Sequence, residues 1–351
     1  MGIPDRDPAS PFPRSSPVPA TPPGSPRTAH PTRRALLTLG VGALVVATLP
    51  RARRERRERV VRTFLTMGTI AEVTVLHDDP RRAHAAIDAV AAELDRLEWV
   101  LTRFDDRSEV GRANLRAGLE PVAVGPETAA VVEAALGWAE ASDGAFDPCL
   151  ARAIDVWDVL HRTVPPAEAL VRPYAGRRLH RAVDVERGAG GGVVRFRDPD
   201  VGLDLGAIAK GYAVDRAAAV LASHGIRDGI VKVGGDLVAL GHGETGEAWR
   251  IGIRSPSDPH GLSGALTVSD EAVATSGDYE RFFEAGGRRY HHILDPATAA
   301  PRVSPLHAVT VVAPTCFVAD AASTSVFGRP RAWGEGLLAR RAPGARIASM
   351  A

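Results

Sequence analysis

Cysteine is scarce in this 351-residue chain: Cys149 and Cys316 are the only two. Two thiols exclude a disulfide-stapled scaffold and a cysteine-rich zinc module. Lysine is equally rare. Lys210 and Lys232 stand alone among 43 basic side chains, and the other 41 are arginines. Long apolar runs are missing as well. The main candidate ends at Leu49 and spans about 15 residues, where a bilayer-crossing helix needs roughly 20. What is present is ordinary. Hydrophobic content of 45% and charged content of 24% exclude wholesale disorder and fibrous repeats. The net charge of +1 hides an asymmetry, because residues 1–62 hold twelve arginines against four acids and leave −7 on the remainder. A mildly acidic body does not suit nucleic-acid binding, whose affinity comes mainly from neutralised phosphates.

The basic excess has another explanation. Ten of the 27 prolines fall in residues 1–31, mixed with Ser, Thr and Arg, and such a stretch buries too little apolar surface to order itself. Thr32-Arg33-Arg34-Ala35-Leu36-Leu37 and the apolar run behind it resemble a twin-arginine export signal, or a short uncleaved anchor. No small-x-small cleavage site precedes Pro50, and the basic residues from Arg51 to Arg59 oppose translocation of that flank. With no cysteine near the run, a lipoprotein anchor is excluded. The expected organisation is a disordered N-terminus over 1–31, a signal or anchor over 32–50, a basic linker over 51–62 and one folded domain over 63–351. The expected location is the extracytoplasmic face of the cytoplasmic membrane.

Within the domain, Ile70–Leu76 alternates as a strand, and Ile87, Val90, Leu94, Leu97 and Leu101 recur at helical spacing from about Arg81 to Val100. A second helix opens at Pro126 and ends near Asp143-Gly144. Val193–Phe196 predicts a strand that leads through Asp204-Leu205-Gly206 into a helix ending at Gly225. Ile230–Val233, Trp249–Ile253, Arg289–Leu294 and Ala308–Val312 predict further strands, and a last helix covers about Val318 to Val326. Strands and helices without regular alternation predict an α+β fold. The stretch from Val164 to Gly192 reads as a long surface excursion.

Three clusters could carry chemistry. Asp204 to Tyr212 is a glycine-containing turn opening a helix, a natural anion site, yet it has neither Walker nor dinucleotide spacing. In so arginine-rich a chain, Lys210 suggests a need for a compact ammonium, against the alternative of chance retention on a solvated face, which fits Lys232 better. Ala274 to Tyr279 is followed by Tyr290-His291-His292-Ile293-Leu294-Asp295-Pro296, where adjacent strand histidines must face opposite sides. In Ala319 to Thr324, Asp320 and Thr324 share a helix face, and carboxylate with hydroxyl suits a hard cation such as Mg²⁺. The alternative is ordinary helix decoration. Cys149 and Cys316 read as buried thiols, or as a disulfide that spacing alone does not show.

The order of these motifs is more specific than any one of them. Met67-Gly68-Thr69, Thr102 to Val110, Gly144-Ala145-Phe146-Asp147-Pro148, Asp204 to Tyr212 and Val233-Gly234-Gly235-Asp236 resemble successive motifs of the ApbE-type FAD:protein FMN transferases. So do Ala274 to Tyr279, His292-Ile293-Leu294-Asp295-Pro296 and Ala319 to Thr324. The resemblance implies an ApbE-like (T-fold-like) α+β fold, a mixed sheet and helices around an FAD cleft. It implies Mg²⁺-dependent transfer of FMN from FAD to a threonine or serine hydroxyl, with release of AMP. The acceptor would be an exported or membrane-bound electron-transfer subunit. By the same resemblance Met67, Phe104, Ala145, Phe146, Asp147, Asp204, Lys210 and Leu294 contact FAD. The metal is held by the Ala207 carbonyl, Asp320 and Thr324, with Ser323 at a position that is sometimes a ligand. His292 is the base. Some relatives hydrolyse FAD instead, so an FAD pyrophosphatase and a non-catalytic flavin-binding protein are the alternative expectations. Two departures from the family pattern stand out. Cys149 to Trp157 replaces the usual loop, and Thr298-Ala299-Ala300 stands where a Thr-Gly-x turn is usual.

Overall fold

In the computed structural model, which describes residues 44–46, 57–258 and 260–351, one seven-stranded sheet organises the chain. Its strands are β1 Glu58–Thr66, β2 Thr69–His77, β3 Asp228–Val233, β4 Asp236–Leu240, β5 Glu271–Gly277, β6 Ala308–Ala313 and β7 Arg346–Met350. They lie in the order β7-β6-β5-β4-β3-β2-β1, antiparallel at every pairing. Spatial order therefore repeats chain order, and the remaining elements are insertions between neighbours. Helices α1 Pro80–Leu101, α2 Glu109–Leu115, α3 Pro126–Ala141, α4 Ala151–Trp157 and α5 Ala209–Ser223 fall between β2 and β3, and α6 Cys316–Val326 and α7 Arg331–Arg341 between β6 and β7.

Alternation along the strands builds two cores. On β3, Val231 and Val233 face one side and Ile230 the other; on β5, Ala272 and Ala274 oppose Val273; on β6, Val309, Val311 and Ala313 oppose Val312. α1, α5 and α6 cover the first face. The second is closed by a small antiparallel sheet of Leu44–Val46, Trp249–Arg254 and Leu262–Val268, which contributes Trp249, Ile251 and Val268. The helix predicted from the Ile87 to Leu101 spacing buries all five of those residues. Asp79 caps it by accepting from Arg81 N–H at 2.9 Å, and Pro80 occupies its first turn. At α6 the capping carboxylate comes from another helix: Asp215 on α5 accepts the Cys316 and Phe317 N–H groups at 2.8 and 2.9 Å. This bond docks the start of α6 on α5.

Two sequence expectations are corrected. The strand read over Arg289–Leu294 is broken, because Arg288–His291 pairs with Phe282–Ala285 whereas Leu294–Asp295 pairs with Ala300–Pro301. The stretch 164–192 is no mere surface excursion, since it buries Val171, Leu179, His180 and Val183 and supplies a strand at Val183–Gly188. The turn expected at Asp204-Leu205-Gly206 does lead into a helix, which opens at Ala209. The expectations for 1–31, for 32–50 apart from Leu44–Val46, and for the linker up to residue 56 lie outside the described residues. Among the described residues no helix is long and apolar enough to cross a membrane.

Candidate functional site

The site begins where α5 meets α6. A Cβ on Gly211 would stand 2.2 Å from the Cys316 carbonyl oxygen and 2.8 Å from Asp320 Cβ, so glycine alone permits this approach. Gly211 N–H donates to Asp320 Oδ2 at 3.0 Å and fixes the carboxylate. Lys210 then places Nζ 3.3 Å from both Asp320 oxygens, 2.8 Å from Asp236 Oδ2 on β4 and 3.0 Å from the Gly206 carbonyl. Burial works against the Lys210 charge, but the Asp236 and Asp320 carboxylates outweigh it and hold its pKa above the ordinary value. Burial, then the nearby Asp320 carboxylate, push Asp236 above the usual carboxylate range. Asp236 belonged to a recognised motif but had no assigned role; its part emerges only once β4 lies beside α5. Lys232 is half-buried on β3, not on a solvated face, and burial lowers its pKa.

A chain of hydroxyls adjoins this cluster. Ser323 Oγ donates to the Asp320 carbonyl at 3.0 Å, and Ser276 Oγ lies 2.8 Å from Ser323 Oγ and 3.0 Å from Thr324 Oγ1. With the Ser323 proton on the carbonyl, Ser276 donates to Ser323 and Thr324 donates to Ser276. The Thr324 oxygen keeps its lone pairs, while the fully buried Ser323 is engaged on both sides. Among the described residues no group of three or more His, Cys, Asp or Glu side chains could hold a metal. A mixed set of Asp320 carboxylate, Thr324 hydroxyl and a backbone carbonyl in the Ala207 turn before α5 is the donor chemistry that fits a hard divalent cation.

Beside the Asp204 turn lies a flat cationic platform. Arg103 bonds Asp204 Oδ2 at 2.6 Å and Asp155 Oδ1 at 2.8 Å, and its guanidinium carbon sits 4.3 Å from the centre of the Phe104 ring. Phe104 is 80% exposed, so the outer face of its ring is open to a planar ligand. Asp204 also accepts Gly206 N–H at 2.8 Å. Arg103 was missed as a site residue because its partner lies 101 positions away. The atypical loop after Pro148 is integrated here through Asp155 and through Trp157, whose Nε1 donates to the Ala299 carbonyl at 2.8 Å. Ala299 itself has a φ of 50°, so alanine holds the left-handed position expected of glycine in this turn.

The side chains of Ala145, Phe146 and Asp147 turn into the protein. Phe146 is buried, Asp147 accepts Cys149 N–H and meets His180 Nδ1, each at 2.9 Å, and the Ala145 carbonyl accepts from Arg302 at 2.5 Å. A nucleotide would meet backbone here, not the Asp147 carboxylate. Arg302 also donates to the Phe327 carbonyl at 2.6 Å, and burial lowers its pKa to about 10. Cys149 and Cys316 are both free and buried, and no disulfide joins them.

The two histidines divide as the sequence required, although the strand ends between them. His291 is buried with both ring nitrogens engaged: Nε2 lies 2.9 Å from the Arg302 carbonyl and Nδ1 accepts Ile293 N–H at 3.2 Å. The half-buried His292 places Nδ1 3.3 Å from the Arg281 carbonyl, which assigns the proton to Nδ1 and leaves the lone pair on Nε2. The Arg281 guanidinium reaches the Gly68 carbonyl at 3.1 Å. Gly68 and Met67 form a two-residue hairpin loop, with φ of 65° and 50°, as a type I′ turn demands. Met67 is thereby tied to the His292 segment, and Leu294 is buried just beyond it. Burial, then the positive charges of Arg281 and His291, lower the His292 pKa to about 3. The imidazole should therefore stay neutral from pH 8 to 5, and its NMR signal, assigned by loss in His292→Gln, should not titrate there; a midpoint near 6.5 would contradict this.

Comparison with known proteins identifies the family. The sequence profile of the ApbE family matches residues 67–347. A protein named FAD:protein FMN transferase from Treponema pallidum (strain Nichols) is 37% identical over 292 residues, which covers 78% of this chain and 80% of its own. The solved ApbE protein of Thermotoga maritima is 29% identical, with a TM-score of 0.73 over 83% of this chain and 93% of its own. The flavin transferase ApbE from Vibrio cholerae is 26% identical, with a TM-score of 0.72 over 83% and 94%. By profile, identity and three-dimensional likeness together, the chain belongs to the ApbE family.

Proposed function

We propose that this protein transfers FMN from FAD onto a threonine or serine hydroxyl of an acceptor protein, with Mg²⁺ bound at Asp320, Thr324 and the Ala207 carbonyl. The observation that carries the reading is the placement of His292, whose Nδ1 lies on the Arg281 carbonyl and whose Nε2 has no protein partner among the described residues. His292 takes the proton of the acceptor hydroxyl, and the hydroxyl oxygen forms a bond to the FMN phosphorus. The bond from that phosphorus to the bridging oxygen breaks, and AMP leaves with the oxygen. Phe104, stacked on Arg103, offers a face for one of the two ring systems, and Lys210 holds positive charge beside the diphosphate. The bound cation would supply Lewis-acid stabilisation of the phosphate charge. The Arg33-Arg34 signal supports an extracytoplasmic acceptor, in keeping with an exported or membrane-bound electron-transfer subunit.

Incubation with FAD, Mg²⁺ and a candidate acceptor domain, followed by intact-protein mass spectrometry, tests the reading. The acceptor should gain the mass of FMN less water, and lose that gain when its threonine is replaced. Free FMN and AMP beside an unmodified acceptor would instead indicate a pyrophosphatase, and intact FAD a flavin-binding protein. Asp320→Ala should abolish activity and metal dependence together, whereas metal-stimulated turnover in that variant would move the cation elsewhere.

A further inference from the structure

Lys210 stands where a cation belongs. Its ammonium is 3.3 Å from each Asp320 oxygen, and Asp320 is also the carboxylate best placed for a divalent metal. The second carboxylate, Asp236, lies closer at 2.8 Å. Both acid side chains are 3% exposed, so neither finds its counter-charge in water. Asp236 Oδ2 is buried without a directed hydrogen bond although the ammonium is within ion-pair range. The ammonium is thus shared between two acids and aligned fully with neither. Two carboxylates and one ammonium leave a local charge of −1. A divalent cation brings this to +1, a positive site for the two negative charges of a bound diphosphate.

We propose that Lys210 is a resident place-holder for the divalent cation and that Asp236 receives it when the metal binds. The metal takes the Asp320 oxygens, and the lysine side chain swings its ammonium fully onto Asp236, still beside the diphosphate path. No bond forms or breaks, and no proton moves. Without the place-holder, two buried carboxylates would face each other uncompensated in the metal-free protein, a strongly unfavourable arrangement. Without Asp236, the ammonium would lean on Asp320 and compete with the metal for it, with Glu280 the remaining acid whose charge reaches it. Asp236 is therefore a positioning residue that sets metal affinity without touching the metal. The inference rests on the reading of Asp320 and Thr324 as side-chain ligands.

Mn²⁺ binding to the full chain without FAD, followed by the EPR signal of free Mn²⁺, tests it, with folding checked by circular dichroism. Lys210→Met should tighten Mn²⁺ binding at least tenfold, and Asp236→Asn should weaken it at least tenfold. A crystal of the unaltered protein soaked in Mn²⁺ should show the Lys210 ammonium withdrawn from Asp320 and hydrogen-bonded to Asp236. Unchanged or weaker binding in Lys210→Met would overturn the place-holder, as would a Mn²⁺-loaded structure that keeps the Lys210–Asp320 contact. Wild-type binding in Asp320→Asn would refute the ligand assignment itself, a failure separate from the other two.

Discussion

Replacing His292 with alanine lowers FMN transfer by about two to four decades while FAD binding stays near the wild-type value, the scale on which a positioned acid–base group acts. The separation of the two effects follows from placement. The ring is fixed from one side by the Arg281 carbonyl, and no other protein group is bonded to Nε2 in the described structure. If His292 is the base we propose, removing it takes away the proton acceptor without disturbing the Arg103–Phe104 platform or the Lys210 cluster. Steady-state transfer to the acceptor, with FAD affinity from flavin fluorescence, checks both halves. Exogenous imidazole should restore part of the rate, because the alanine leaves a ring-sized space next to the hydroxyl. His291→Ala should behave differently. That ring joins the Arg302 carbonyl to the Ile293 amide, and its loss should lower the melting temperature along with activity. Turnover unchanged in His292→Ala would remove this residue from the mechanism.

Gly211→Ala should damage the fold and the candidate site together. The added Cβ meets the Cys316 carbonyl oxygen at 2.2 Å and its carbon at 2.7 Å, and both belong to backbone that cannot rotate away. α5 and α6 must separate, which strains or breaks the Gly211 N–H to Asp320 bond and the Asp215 cap at the start of α6. Overpacking costs about 1–3 kcal/mol, and a lost hydrogen bond to a charged group about 1.5–3 kcal/mol more. A thermal melt and a Mn²⁺ titration on the same sample should both register the change: the melting temperature falls by several degrees and metal binding is lost. A melt and titration identical to wild type would mean that the helices do not approach so closely.

These effects separate what the chain announces locally from what it does not. The i,i+4 spacing of Asp320 and Thr324 was readable because a helix face is a local property. The periodicity from Ile87 to Leu101 was readable for the same reason. Arg103 with Asp204 and Arg302 with Ala145 were not, because those partners lie 101 and 157 residues apart and meet only through the strand order. His180 was hidden differently. It lies in an Arg-, Pro- and Gly-rich stretch whose composition suggests surface, yet it is buried against Asp147. The broken strand at His291 shows the limit of a period-two reading. Alternation predicted opposite faces for the two histidines but carried no sign that pairing stops at the first of them.

Arg302 joins three parts of the molecule that the sequence keeps apart. Its guanidinium donates to the Ala145 carbonyl and to the Phe327 carbonyl at the end of α6, and its backbone carbonyl meets the His291 ring. Its nearest carboxylate, Asp295, is 3.8 Å away, so much of its charge is met by backbone oxygens at the negative end of a helix. Lysine could not replace it, since a single ammonium cannot span two carbonyls in the plane of a fork. Ala299 to Arg302 therefore link the Trp157 indole, the Ala145 segment and the end of α6. A change at Arg302 would loosen the Ala145 segment and the end of α6 in the same step.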